Sequence, residues 1–265
     1  MSQTPATPQI TGRMFLFEKP ELLNRQQHGE LGLDAAAKPF GFCANIRAVP
    51  LTVSEIPEAS KFYPVVFMSK DEPLPVAIVG FNSDLNLFVD DDGNWEQFAY
   101  TPGYLRRYPF ALAGESGGGD RLALVFDAAY PGVSKSAERK LFENGEMSDF
   151  VKKAMEFTRT YESDRRLTDQ IMKALVKYDI IQPQTAQYTP IGETTPRPFA
   201  QYFGIDEKKV LDLTDAQYLE LRKMNVLPII YSQMISLGNW RNLISRRMKR
   251  LGMTEIEAVS GQRLS

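Results

Sequence analysis

The hydrophobic period changes near Ser134, and this change constrains the architecture of the chain more than any other property. Upstream, short runs of branched and aromatic residues at 13–17, 63–67, 76–81, 85–89 and 122–126 predict strands. Asn82-Ser83-Asp84 is short enough for a hairpin, and Asp90-Asp91-Asp92-Gly93 supplies a second polar turn ahead of Trp95, Phe98 and Tyr100. A parallel crossover needs about a dozen residues or more, so these spacings predict adjacent antiparallel strands. Residues 51–60 predict a short helix capped by Ser54 and interrupted by Pro57.

Downstream the period is helical. Phe150, Val151, Ala154, Phe157 and Tyr161 recur at helix spacing behind Ser148 as N-cap, and Leu167, Ile171, Met172 and Leu175 repeat the pattern behind Thr168. The polar stretch 162–165 predicts a turn between two helices, the second ending near Asp179. Residues 182–204, rich in Pro, Thr and Gln, predict an ordered excursion or interdomain connector rather than a long regular element. Thr214-Asp-Ala-Gln217 has capping-box spacing and starts a helix running to about Met224, with Tyr218, Leu221 and Met224 inward. Pro228 suits the first turn of a last helix whose apolar stripe runs from Ile230 and Tyr231 through Trp240 to Leu243 and Ile244. From Gly252 no period is evident, which predicts fraying. The expected class is α+β: a mainly antiparallel β-rich N-terminal portion packed with a helical C-terminal portion. Its divisions are a flexible tail over 1–12, a β-rich core over 13–133, a helical portion over 134–251 and a flexible tail over 252–265.

The chain has 265 residues, with 31 basic and 33 acidic side chains. No global field draws it to nucleic acid or anionic lipid, so nucleic acid is not an expected partner. The first ten residues lack a positive and an apolar region, and they read as a tail rather than a secretory signal. No apolar run approaches the roughly 20 residues of a membrane span. A cytoplasmic location is expected.

A single histidine, His28, and a single cysteine, Cys43, remove most zinc sites, histidine triads and thiol relays. His28, with Glu30 or Asp34 as an orienting group, has the chemistry for proton transfer, although a structural hydrogen bond is the simpler role. Cys43 reads as a small buried hydrophobe. Asp90, Asp91, Asp92 and Asn94 gather oxygens around Gly93 without completing an EF-hand, so a solvated turn is expected and no metal. Glu115, Asp120 and Asp127 bracket a strand and offer carboxylate chemistry if they face one another. Ser116-Gly-Gly-Gly-Asp120 has no Lys-Ser/Thr pair and is not a phosphate loop. Arg241, Arg246, Arg247, Lys249 and Arg250 fit a helix C-terminus.

The segment from Tyr100 to Phe110 is the strongest site candidate. Arg106 and Arg107 offer forked donors for carboxylate or phosphate, while Tyr100, Tyr104 and Tyr108 offer rigid faces with polar tips. Trp95 adds an aromatic face suited to a sugar. The combination fits an acidic, aromatic or carbohydrate-derived ligand, and equally a domain junction in which the arginines pair with carboxylates.

At Phe40-Gly-Phe42, Tyr63-Pro-Val-Val-Phe67, Asn86-Leu-Phe-Val89 with Asp92-Gly-Asn-Trp95, and Arg106-Arg-Tyr-Pro-Phe110, the chain resembles the bacterial SapC family. Gly145-Glu146, Leu221 to Leu227 and Ser236-Leu-Gly-Asn239 continue the resemblance, which covers about residues 20–247. The resemblance supplies no catalytic residue set and no cofactor. It implies accessory work in bacterial envelope or nutrient-uptake systems, where a modification-pathway or envelope-associated protein is the expected partner. The leading expectation is therefore an accessory module that binds a ligand or protein through the Arg106-Arg107 region. A cofactor-independent enzyme using carboxylates or His28 is the alternative, and a subunit-interaction protein is a third.

Overall fold

A computed structural model describes residues 14–114 and 122–260. In chain order its first half contains β1 (Pro20–Leu22), α1 (Arg25–His28), β2 (Gly32–Leu33), β3 (Ala48–Pro50), α2 (Ile56–Ala59), β4 (Val65–Phe67) and β5 (Pro75–Ile78). There follow α3 (Gly103–Arg106), β6 (Phe110–Gly114), β7 (Leu122–Asp127), β8 (Val133–Ser134), β9 (Phe142–Glu143) and β10 (Glu146–Met147). The second half contains α4 (Asp149–Lys177), β11 (Ile181–Tyr188), β12 (Arg197–Ile205), α5 (Glu207–Leu211), α6 (Asp215–Lys223), α7 (Leu227–Ser236), α8 (Trp240–Leu251) and α9 (Glu255–Ser260). Strands β1-β7-β6 form one sheet and β11-β12-β4-β5-β3 another, with two small ladders, β10-β9 and β2-β8. All of these pairings are antiparallel. The architecture is α+β, a strand-rich N-terminal and middle region packed against a helix-rich C-terminal one.

The two larger sheets have separate apolar cores. The larger core gathers Val49, Val65, Phe67 and Val76 of the five-stranded sheet with Ile230 of α7 and Leu243 of α8. The smaller gathers Phe110, Leu124 and Phe126 with Leu141 and Val151. Helix α4 joins them: its first turn enters the small core at Val151, and its last turns enter the large one at Ile171, Met172 and Leu175. Its 29 residues make it about 44 Å long, enough to reach from one core to the other.

The structure departs from the sequence reading at identifiable places. Arg13 lies outside the described residues, and 14–17 form a turn closed by Phe17 N–H to Met14 O; the first strand begins at Pro20. Residues 85–89 make no strand. The buried Asn86 side chain donates to Cys43 O and accepts from Phe88 N, so a side chain takes ladder bonds that a strand partner would have supplied. Only Val89 bridges, to Trp95, across the predicted Asp90–Gly93 turn. The polar stretch 162–165 is not a turn but part of continuous α4, where Arg165 bonds Glu162 at 2.6 Å and Asp169 at 2.9 Å. Thr168 is accordingly no cap: its hydroxyl donates to Asp164 O, four residues back. Ser148 does cap α4, accepting from Val151 N.

The stretch 182–204 is a β-hairpin, β11 with β12, and it enters the larger sheet where Phe203 pairs with Phe67. Thr52, rather than Ser54, caps the segment that leads into α2. The Thr214 capping box forms as read, but of the three residues expected inward only Leu221 is buried. The last apolar stripe is split between α7 and α8 by a 3-10 turn at Leu237–Asn239. Beyond Gly252, whose positive φ of 61° ends α8, helix α9 packs Ala258 and Val259 into the core where fraying was expected.

Asp127, at the end of β7, is fully buried and holds the small sheet to its surroundings. Its carboxylate accepts from Glu18 N, Lys19 N, Ala129 N and the Tyr108 hydroxyl, at 2.9 to 3.1 Å. Removing it loses four part-buried hydrogen bonds to a charged acceptor, each worth about 1 kcal/mol or more. Asp127→Ala should therefore lower the urea unfolding free energy by at least about 3 kcal/mol, and Asp127→Asn by less. A loss below about 1 kcal/mol for Asp127→Ala would show that the network contributes little.

Candidate functional site

Helix α3 is a single turn with no side-chain cap of its own. A distant carboxylate takes that part. Glu55, 6% exposed, accepts from Gly103 N at 2.5 Å and from the Tyr100 hydroxyl at 2.9 Å through Oε1. Its Oε2 accepts from Thr52 N at 2.8 Å and the Thr52 hydroxyl at 2.9 Å. The approach at Gly103 is close: a Cβ there would lie 3.1 Å from Glu55 Oε1 and 3.2 Å from Tyr161 Cδ2, so a side chain would press on both. Glu55 thus fixes where α3 points, and α3 ends in the two arginines.

Both arginines rest on aromatic rings. Arg106 donates to the Tyr100 hydroxyl at 3.1 Å, and its guanidinium lies 5.2 Å from the Phe157 ring centroid. Arg107 lies 4.2 Å from the Tyr104 centroid and 4.8 Å from that of Tyr161. Next, Tyr108 stacks on Phe42 at 3.9 Å, donates to Asp127 at 3.0 Å and precedes a cis peptide to Pro109. Burial, followed by the Glu55 and Asp127 carboxylates respectively, raises the Tyr100 and Tyr108 hydroxyls well above the usual tyrosine range. Burial raises Tyr104 as well. At neutral pH all three are hydroxyl donors, not bases.

Between this turn and the first half of α4 lies a pocket of about 360 Å³. Arg106, Arg107, Arg139 and Lys153 line it, with Tyr108, Phe110, Tyr130, Phe150 and Phe157 among its aromatic walls. Arg139 donates to Leu33 O at 3.1 Å and lies 4.9 Å from the Phe150 centroid. No described carboxylate lines the pocket, and among the described residues none of the four cations forms an ion pair. The arrangement can take a small anion with a flat apolar body: forked donors for its charge, rings for its carbon skeleton.

Of the residues singled out in the sequence, Arg106, Arg107 and Tyr108 meet at this pocket. Tyr100 and Tyr104 support the arginines from behind. Trp95 lies in a different groove, stacked with Phe88 at 6.0 Å. His28 is buried, and its partner is Glu21 at 3.0 Å, while Glu30 pairs with Lys135 and Asp34 accepts from Glu138 N. Because His28 Nδ1 accepts from Asn24 N at 3.1 Å, the neutral ring carries its proton on Nε2 and donates it to Glu21. The ring packs edge-on against Phe126 and does not line the pocket.

Glu115, Asp120 and the Ser116–Asp120 loop lie outside the described residues. Asp90 and Asp91 are engaged with Asn94 and Arg250, and no three His, Cys, Asp or Glu among the described residues converge to hold a metal ion. Among the described residues no helix is long and apolar enough to cross a membrane.

Arg139, Lys153, Phe150 and Tyr130 were not singled out as site residues in the sequence. Phe150, Lys153 and Phe157 do carry a local signal, since spacings of three and four put them on one face of α4. Arg139 and Tyr130 carry none; only the tertiary fold brings them in.

Fold and pocket define an α+β protein with a cation-lined, aromatic-walled recess and, among the described residues, no His–carboxylate pair directed into it. The SapC family model matches residues 23–243, and the chain belongs to that family. No curated protein matches it. No solved structure matches it either.

Cys43 is fully buried, with its thiol donating to Phe40 O at 3.2 Å. Burial pushes its pKa from 9.0 up to about 12. A raised acid favours the folded state below the unfolded value and loses that contribution as pH climbs from about 9 towards about 12. At pH 8 the native protein should therefore release almost no chromophore from a disulfide thiol reagent, and one equivalent after unfolding in urea. Prompt release from the folded protein would contradict this burial.

Proposed function

We propose that this SapC-family chain is a cytoplasmic binding module for a small organic anion with an aromatic or flat apolar body, serving as an accessory protein in envelope or nutrient-uptake functions of bacteria. The observation that carries the reading is the set of four cations around one aromatic-walled pocket, none ion-paired among the described residues. Arg107 is half-buried, and Arg106 and Arg139 are exposed. Here π faces hold them in place and leave their charge uncompensated, as a site for a ligand anion requires. The volume suits a compact ligand rather than a polymer.

A cofactor-independent enzyme is the weaker reading. The enzyme expected from the sequence would use carboxylates or His28, and neither His28 nor any described carboxylate lines the pocket.

Isothermal titration with benzoate, phenyl phosphate and the uncharged control benzamide tests the proposal. Benzoate or phenyl phosphate should bind with Kd on the order of 0.1–1 mM, and benzamide at least about tenfold more weakly. Arg139→Gln should weaken the anion about tenfold, and the exposed Lys153→Gln about two- to threefold. Equal affinity for benzoate and benzamide, or no heat from any of them at about 10 mM, would overturn the assignment.

A further inference from the structure

A second groove, of about 930 Å³, lies on the far side of Trp95 between the 87–97 turn and one face of α8. It differs from the anion pocket in its electrostatics. Arg246 pairs with Glu96 at 3.1 Å, Arg250 with Asp91 at 2.5 Å, and Lys61 with Glu58 at 2.7 Å. The lining itself holds four cations, Lys61, Arg246, Lys249 and Arg250, and two acids, Asp90 and Glu96; the partners Glu58 and Asp91, which do not line the groove, bring the group to four charges of each sign. Three of the four cations are already paired with carboxylates, so their charge is largely spent within the protein.

What the groove does offer is neutral polar groups opposite rings. Helix α8 presents Asn242, Ser245, Arg246 and Lys249 at spacings of three and four, which is a single face. Asn242 spends its amide N–H on Asn239 and keeps its carbonyl oxygen for another partner. The side chains of Gln97 and Ser245 form no hydrogen bond among the described residues, and both are exposed. The facing wall contains Phe62, Phe88 and Trp95; Phe88 is buried with the Arg246 guanidinium 4.3 Å from its ring centroid, so the half-buried Phe62 and Trp95 are the rings a ligand can reach.

We infer that this groove binds a neutral oligosaccharide. A pyranose has an apolar C–H face that packs on rings and a rim of hydroxyls that both donate and accept. Amides and a hydroxyl across from aromatic side chains match both halves, and ion pairs along the floor add fixed donors and acceptors without requiring a net charge on the ligand. The volume exceeds the need of a monosaccharide and falls within the range of ligand clefts. This inference is independent of the anion pocket, which shares none of these residues.

The chain has two tryptophans, Trp95 and Trp240. In Trp240→Phe the remaining emission reports on this groove. Titration with maltotriose, cellotriose and tri-N-acetylchitotriose should give a saturable change in Trp95 emission with at least one of them, while benzoate gives none. Because Trp240 is packed in the core, calorimetry of the unaltered protein with the same three sugars supplies a second readout that does not depend on the variant folding. Gln97→Ala and Asn242→Ala, both at exposed positions, should each weaken binding about three- to tenfold. Absence of saturable heat and of emission change for all three sugars at about 20 mM would overturn the inference, as would unchanged affinity in both alanine variants.

Discussion

The geometry of the site depends on one buried carboxylate. Glu55 has no cation beside it among its hydrogen-bond partners; four donors from Thr52, Tyr100 and Gly103 surround it instead. A buried carboxylate with fewer donors would cost several kcal/mol, so the segments supplying them are held to one another. The same stretch is tied to the middle of α4, where Val53 N donates to the Thr168 hydroxyl at 2.9 Å and the Ser54 hydroxyl donates to Asp164. The loop before α2, the turn at 100–103 and the long helix thereby share a fixed junction. Arg106 and Arg107 project from that junction, and their positions follow from it.

Helix α4 converts this local fixation into a pocket. Its C-terminal half is anchored in the larger core, and its N-terminal half crosses the small sheet, placing Phe150, Lys153 and Phe157 opposite the arginines. A ring can hold a guanidinium within van der Waals distance without neutralising it, whereas a carboxylate would cancel the charge on which binding relies. Tyr104, Tyr161, Phe150 and Phe157 hold three arginines in this way. The tyrosines of the 100–110 segment therefore serve mostly as supports for the cations, and only Tyr108 reaches the pocket wall.

Much of the fold was legible because its signals are local. Antiparallel pairing followed from short intervals between runs, and the Ser148 and Thr214 caps followed from hydroxyls placed just ahead of helical periods. The misread segments share a cause. At 85–89 a β-like composition is overridden by the Asn86 amide, and at 162–165 a polar run continues the helix, with Asp164 turned to the 52–54 segment and Arg165 bonding Glu162. At 181–205 the sequence lacks strand-forming alternation because much of the hairpin is exposed, and its ladder is set by backbone pairing. Arg106 and Arg107 could be singled out because they are adjacent to each other and to tyrosines. Arg139 could not, since nothing within ten residues of it announces a site.

The two charge-rich segments that attracted separate readings, the acidic turn at 90–96 and the basic end of α8, account for one another. Glu96 and Asp91 pair with Arg246 and Arg250, and the Lys38 ammonium donates to Asp91 O at 2.9 Å. Arg247, between the paired arginines, turns inward, donates to Phe81 O at 2.5 Å and to the Ser83 hydroxyl, and has its pKa lowered by burial. Its bonds place α8 against the 81–83 turn, while its neighbours balance the acids outside. Cations are thus used in two opposite ways within one chain. Where α8 meets the acidic turn they are matched with carboxylates and hold segments together; where α3 meets α4 they are matched with rings and their charge is left available. That contrast, more than cavity size, separates a surface suited to neutral ligands from one suited to anions.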